Sequence, residues 1–126
     1  MLEGPAIHLA KYCSMRSERR LATTIVRLAG EFDLTCAEPF EAELGRAIDR
    51  ETRIFILDLR GLEFIDSTGL TTLVELDARS RDYGFDFTIL CGEGLVRRVM
   101  RETGLEGLLP VADPLGGIVP ASDSPV

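Results

Sequence analysis

Residues 53–59, with the sequence R-I-F-I-L-D-L, constrain the fold more than any other part of the chain. A nearly continuous apolar run of this length is typical of a strand that is covered on both faces. Such a strand needs helices packed on its sheet, so the run predicts a layered α/β domain. The 126 residues support one domain, and the 45% that are hydrophobic can supply its core.

Local patterns place the other elements around this strand. Strands are predicted from short β-prone runs at 6–13, 21–29, 53–59, 85–91 and 108–112. Helices are predicted where apolar residues recur every three or four positions, at 36–50, 67–82 and about 95–100. The charged stretch 14–20 is predicted to be a loop between the first two strands. The order ββαβαβαβ predicts a mixed sheet of about five strands with helices packed on it.

Candidate caps mark the ends of the helices. Thr35 and Glu38 have the spacing of a capping box, and Ser67 is placed to cap the second helix. Gly84 is expected to end the second helix, and Gly104 to adopt the left-handed conformation that closes the third.

The last residues of the chain have a different composition. Residues 113–126 contain three prolines, two glycines and two serines, too many helix breakers for a packed helix. We therefore predict a folded domain over 1–113 and a flexible tail over 114–126.

Charge and composition exclude several classes of function. The net charge is −7 and the only lysine is Lys11, which argues against direct binding to nucleic acid. The three cysteines are widely spaced, so they predict reduced, buried side chains and not disulfides or a metal site. The chain shows neither a signal peptide nor a run of about 20 apolar residues, which predicts a cytoplasmic protein without a membrane span.

The familiar catalytic motifs are incomplete. The glycine-containing run 91–95 begins like a dinucleotide-binding loop, but Arg97 stands at its third glycine position. Ile65 stands where a nucleophile elbow around Ser67 requires glycine, and His8 is the only histidine available as a base. We therefore predict no catalytic residue, metal or cofactor, and enzyme is the weakest class of function.

The run 57–70, L-D-L-R-G-L-E-F-I-D-S-T-G-L, leads from the buried strand into the second helix. Ser67 lies at the mouth of that helix, where free backbone N–H groups and the helix dipole favour a phosphate group. Phosphorylation of Ser67 is therefore compatible with the fold. A role for Ser67 as a simple N-cap is the alternative.

The same run closely resembles the STAS domain of bacterial anti-sigma factor antagonists. In that family an L-D-L-like strand end leads through an apolar pair, here Phe64 and Ile65, into Asp-Ser-x-Gly-Leu. The segment 30–33, G-E-F-D, is similar to the family's G-E-x-D motif. The resemblance covers roughly residues 5–113, including 87–90 and the third helix.

The resemblance implies partner switching in the regulation of transcription. Family members bind an anti-sigma factor that is also a serine kinase, and this binding frees the sigma factor. The kinase phosphorylates the serine that maps to Ser67, and a PP2C-type phosphatase removes the phosphate. Asp33 is expected beside Ser67, and a homodimer is possible. The residues expected to contact partners are Asp33, Asp66, Ser67, Thr68, Gly69 and Thr71.

Two departures from the family pattern keep a second hypothesis open. Thr71 stands where many members have a second glycine, and the tail lacks the periodic C-terminal helix that usually covers one face of the sheet. The alternative is a STAS domain that does not switch, acting as a scaffold in a larger regulatory assembly or as a soluble component of a lipid-transport complex.

Overall fold

Six strands form one mixed sheet in the computed structural model, which describes residues 2–112 of the chain. The strands are β1 (Leu2–Glu3), β2 (Ile7–Ala10), β3 (Cys13–Arg20), β4 (Thr23–Phe32), β5 (Ile54–Ile65) and β6 (Asp86–Leu90). The helices are α1 (Leu34–Ala47), α2 (Ser67–Tyr83) and α3 (Leu95–Glu102), followed by a 3-10 turn at Leu105–Gly107. The predicted tail, 114–126, lies outside the described residues.

The strand order is β1-β3-β4-β5-β6, and β2 also pairs with β3. The first four strands pair antiparallel, whereas β4, β5 and β6 are parallel. Helices α1 and α2 connect the parallel strands, as parallel pairing requires. The predicted α/β fold with a mixed sheet is confirmed.

Strand β5 is buried on both faces, as its apolar run predicts. Phe55 and Leu57 point into the main core beneath the helices, where the ring of Phe55 stacks on that of Phe87 with centroids 5.2 Å apart. Ile56 points to the other face and joins a smaller apolar cluster with Ile25 and Leu90. The main core therefore lies between the sheet and the helices, and it fixes how α1 and α2 lie on the strands.

The predicted loop at 14–20 is wrong, because Cys13–Arg20 is a strand that pairs along its whole length with β4. Its sequence places buried side chains on both faces of the sheet. Met15 packs in the main core, and the buried Glu18 carboxylate accepts hydrogen bonds from Arg20 at 2.5 Å and Arg27 at 2.9 Å. These arginines compensate the buried charge, so a strand forms where the charges suggested a loop.

Further boundaries differ from the prediction. The strand expected at 6–13 covers only Ile7–Ala10, and the strand expected at 21–29 is Thr23–Phe32. Helix α1 begins at Leu34 and ends at Ala47, and β5 continues to Ile65, well beyond residue 59. The predicted last strand at 108–112 is a single bridge between Ile89 and Val111. This segment is too short to form a ladder.

The glycine and cysteine predictions are confirmed. Gly84 and Gly104 have left-handed conformations, with φ of 77° and 81°. All three cysteines are free and buried. Burial, followed by the neighbouring Cys36 thiol, raises the pKa of Cys13 to about 12, so this thiol stays protonated at neutral pH.

Candidate functional site

Two helices begin side by side at one edge of the sheet. The parallel strands β4 and β5 end level with each other, with Phe32 opposite Ile65 in the register. The backbone N–H of Asp66 donates to the carbonyl of Phe32 across 3.1 Å, so the residue before α2 is tied to the end of β4. Consequently, Asp33 and Asp66 lie at the same edge, each immediately before a helix.

Asp33 is the N-cap of α1. Its Oδ1 accepts hydrogen bonds from the backbone N–H of Thr35 at 2.9 Å and the Thr35 hydroxyl at 2.5 Å. The Cys36 thiol lies 3.6 Å from the same oxygen. Hydrogen bonds from the Thr35 hydroxyl and then its backbone lower the pKa of Asp33. The predicted Thr35–Glu38 capping box is wrong, because Asp33 supplies the cap.

Asp66 is the N-cap of α2, with its Oδ1 accepting from the backbone N–H of Gly69 at 3.0 Å. The prediction that Ser67 caps this helix is therefore wrong. Ser67 is instead the first helical residue and is exposed. Within residues 2–112, no hydrogen bond joins the Ser67 hydroxyl to another group. Since Asp66 performs the capping, the hydroxyl remains accessible for modification.

Gly69 lies beneath the surface of this site. A Cβ at position 69 would stand 2.4 Å from Cγ1 of Ile65 and 2.9 Å from Cδ1 of Phe32. Only glycine lets the first turn of α2 approach the sheet this closely without a shift of its neighbours. Gly69 therefore positions Ser67 and is buried, unlike Ser67 and Thr71, which are exposed.

A groove of about 470 Å³ separates the first turns of α1 and α2, and we call it the α1–α2 groove. Thr68 and Thr71 line it from α2, and Leu34, with 70% of its surface exposed, lines it from α1. Glu38 and Glu75 add negative charge to the same groove. The structure thus places Thr68 and Thr71 in one groove, and both belong to the first turns of the helix that Ser67 begins.

Sequence reasoning missed Leu34, Glu38 and Glu75 as members of this surface. The signal that would have found Leu34 is the assignment of Asp33 as the N-cap of α1. Once Asp33 is assigned as the N-cap, Leu34 becomes the first helical residue, a position that leaves its side chain outside the core. The capping-box prediction started the helix later and hid this consequence.

The site offers a hydroxyl and a binding surface. Residues 2–112 hold no cluster of three or more His, Cys, Asp or Glu side chains that could bind a metal ion. In the same part of the chain, every helix is too short or too polar to cross a membrane. This arrangement presents Ser67 beside the α1–α2 groove. The N-terminus of α2 can also accommodate a negatively charged group.

Residues 14–116 match the family model of the STAS domain, and the chain belongs to this family. It is 27% identical over 97 residues to the anti-sigma F factor antagonist of Paenibacillus polymyxa, covering 76% of this chain and 83% of that protein. It is 30% identical over 89 residues to the putative anti-sigma factor antagonist BtrV of Bordetella bronchiseptica, and the match covers 71% of this chain and 77% of that protein.

Solved structures show the same fold. A crystal structure of an anti-sigma factor antagonist from Mycobacterium paratuberculosis superposes with a TM-score of 0.71 at 23% identity, covering 82% of this chain and 88% of that one. The structure of the anti-sigma factor antagonist SpoIIAA in its unphosphorylated form gives a TM-score of 0.64 at 24% identity. The match covers 83% of this chain and 98% of that one. The predicted family and fold are confirmed.

Proposed function

We propose that this chain is an anti-sigma factor antagonist, which in its unphosphorylated form binds an anti-sigma factor and releases the sigma factor. Both curated relatives reported above carry the name of this function. The observation that carries the proposal is the position of Ser67, exposed at the first residue of α2 and beside the α1–α2 groove.

In this proposal the anti-sigma factor is a serine kinase that phosphorylates Ser67, and a PP2C-type phosphatase restores the serine. Two features support Ser67 as the acceptor. Its hydroxyl is free of hydrogen bonds within residues 2–112, and it stands where backbone N–H groups and the helix dipole favour negative charge. Phosphorylation can therefore occur without unfolding α2.

The phosphate switches off binding by electrostatics and desolvation. It adds a charge of about −1.5 to −2 at a surface that must lose its water when the partner binds. Asp33 and Asp66 already place carboxylates at this sheet edge. A mismatched charge in an interface commonly costs about 2–5 kcal/mol, or roughly 30- to 5,000-fold in affinity. No change of fold is needed.

The α1–α2 groove indicates what the partner presents. Glu41 at its edge is held by Arg79 at 2.8 and 3.1 Å, so its charge is compensated within the chain. Among residues 2–112, no hydrogen bond or ion pair holds Glu38, whereas Glu75 acts electrostatically on Arg79 and helps to raise the pKa of that guanidinium. A complementary surface therefore combines an apolar side chain for Leu34 with basic side chains for the two glutamates.

The protein acts in the cytoplasm and affects transcription without contacting DNA. The net charge of −7 supports the absence of DNA contact, because binding to a phosphate backbone requires clustered positive charge. The acidic surface instead suits a protein partner whose own surface is basic.

The acceptor is tested by incubating the protein with ATP, Mg²⁺ and each anti-sigma kinase of the source cell, then measuring intact mass. We expect one increase of about 80 Da, the mass of a phosphoryl group. Ser67→Ala should abolish it, while Thr103→Ala, which removes an exposed hydroxyl outside the α1–α2 groove, should retain it. If the Ser67→Ala protein were still phosphorylated, the acceptor would be a different residue. No increase with any kinase would favour the scaffold or lipid-transport role.

The switch is tested by titrating the anti-sigma factor with charge variants. Ser67→Ala should bind like the wild type, and Ser67→Asp should bind at least about 30-fold more weakly. Arg98→Gln is the matched control, because it shifts the net charge by the same amount at an exposed position on α3. Equal affinity of Ser67→Ala and Ser67→Asp would contradict the switch.

A further inference from the structure

A second cavity lies at the end of the molecule opposite Ser67. It is a cleft of about 740 Å³ between the C-terminal ends of α1 and α2, and we call it the distal cleft. Helix α2 extends from Ser67 to Tyr83, so the cleft is roughly 24 Å from the phosphorylation site at 1.5 Å per residue. Its volume falls within the range of about 300–1,000 Å³ that is usual for small-molecule sites.

The floor of the distal cleft is apolar. Leu44 and Phe85 are buried there, with 1% and 7% of their surfaces exposed, and Ile48 lies beside them. Tyr83 stands at the rim with 74% of its surface exposed. An apolar floor with an aromatic rim fits a hydrocarbon chain or ring.

The rim of the distal cleft carries uncompensated positive charge. Both of its carboxylates are neutralised, since Glu41 binds Arg79 and Asp49 binds Arg19 through two hydrogen bonds of 3.0 and 3.1 Å.

Two further arginines of the rim have no such carboxylate. Arg53 donates to the carbonyls of Arg50 and Thr52, at 2.6 and 3.4 Å. No ion pair of residues 2–112 involves Arg50 or Arg53. A chain with net charge −7 thus gathers two unpaired guanidinium groups at the mouth of an apolar cleft.

Gly45 borders the distal cleft. It lies inside α1, where glycine is less favourable than alanine by about 1 kcal/mol. A Cβ at position 45 would meet no atom within 4 Å, so no close approach requires glycine here. Position 45 borders the cleft, so a larger side chain there has open space beside the cleft lining.

We propose that the distal cleft binds a small organic acid, with its carboxylate on Arg50 and Arg53 and its hydrocarbon part on Leu44, Ile48 and Phe85. Guanidinium groups match the planar carboxylate and bind it strongly through paired hydrogen bonds. The proposal goes beyond the anti-sigma function and does not depend on it. Glu41 borders both cavities, but Arg79 neutralises it and neither proposed site uses it as a contact.

The binding is tested by titrating the full chain with octanoate and recording amide chemical shifts. We expect saturable shifts at Gly45, Thr52 and Phe85. 1-Octanol, which has the chain without the charge, should bind about tenfold or more weakly, as for the loss of a charge-assisted hydrogen bond. Acetate, which has the charge without the chain, should not saturate. Absence of saturable shifts with octanoate, or equal affinity for octanol, would overturn the proposal.

Two variants localise the ligand. Gly45→Leu fills the distal cleft and should abolish octanoate binding, while the better helix propensity of leucine protects the fold. The double variant Arg50→Gln, Arg53→Gln should lower the affinity at least about tenfold. Arg98→Gln should leave it unchanged. Retention of octanoate binding by Gly45→Leu would place the ligand elsewhere and refute the site.

Discussion

The starts of α1 and α2 use the same backbone design with different side chains. In each, an aspartate in extended conformation follows a parallel strand and caps a helix, with φ and ψ of −129° and −171° at Asp33 and −101° and −173° at Asp66. The first helical residue is Leu34 in α1 and Ser67 in α2. The caps also differ, because Asp33 binds Thr35 twice, whereas Asp66 binds only the backbone of Gly69.

This difference supports the switch that we propose at Ser67. In α1 the Thr35 hydroxyl donates to the cap and is engaged. In α2 the Ser67 hydroxyl makes no hydrogen bond to the described residues, and the cap stays in place without it. The fold thus supplies one stabilised helix start and one with an available hydroxyl, so a kinase can modify Ser67 at little cost in stability.

The largest expected effect on stability comes from the close approach of α2 to the sheet. Gly69→Ala should lower the free energy of unfolding by about 1–3 kcal/mol, because its Cβ would collide with Ile65 and Phe32. Gly45→Ala in α1 is the matched control and should raise it by up to about 1 kcal/mol. Urea denaturation measures both. A Gly69→Ala protein as stable as the wild type would show that α2 is not held by this contact.

The next effect concerns the two caps. Asp66→Ala should cost about 1 kcal/mol, the usual value for a lost N-cap. Asp33→Ala should cost more, because it also removes the hydrogen bond from the Thr35 hydroxyl to the cap. Denaturant midpoints of the two variants give the comparison directly. A smaller loss for Asp33→Ala would mean that the extra bond at α1 does not strengthen its cap.

A smaller effect on stability distinguishes the hydroxyl of Thr35 from that of Ser67. Thr35→Ala should lower stability by roughly 0.5–1 kcal/mol, since it removes a hydrogen bond to a carboxylate at an exposed site. Ser67→Ala should stay within about 0.5 kcal/mol of the wild type, since no described partner is lost. Thermal unfolding of the pair at neutral pH tests this, and an equal loss in both would remove the distinction between the helix starts.

The smallest effect is on pH dependence. The pKa of Asp33 is lowered in the folded protein by the Thr35 hydrogen bonds, so this group stabilises the fold above its ordinary value of 3.8. That contribution is lost as the pH falls through the folded pKa. Asp33→Asn keeps an N-cap but cannot ionise. Its stability should therefore decline less steeply than the wild type's between about pH 5 and pH 3. Parallel curves would contradict this assignment.

The sequence predicted the elements in which apolar spacing is regular. The run at 53–59, the helix at 67–82 and the stop at Gly84 follow from local rules, and the structure agrees with them. The strand Cys13–Arg20 could not be found in this way, because the burial of Glu18 depends on Arg27 of the neighbouring strand. The burial of Glu18 becomes visible only when the neighbouring strand is paired with it.

The candidate site was predicted in part for a similar reason. Motif resemblance located Asp33, Asp66 and Ser67, and the structure places all three at one sheet edge. It did not distinguish the capping residue from the residue that follows it. That distinction depends on φ and ψ at Asp66 and on a hydrogen bond to Gly69, neither of which is visible in a residue pattern.

The bond between the Asp66 N–H and the Phe32 carbonyl has a further consequence. It joins the two helix starts through main-chain atoms, so the platform keeps its shape whatever side chains it displays. Substitutions of side chains that line the α1–α2 groove, such as those of Leu34, Thr68 and Thr71, leave this main-chain bond in place. On the proposed function, the side chains that select the partner can therefore change while Ser67 keeps its position at the end of the sheet.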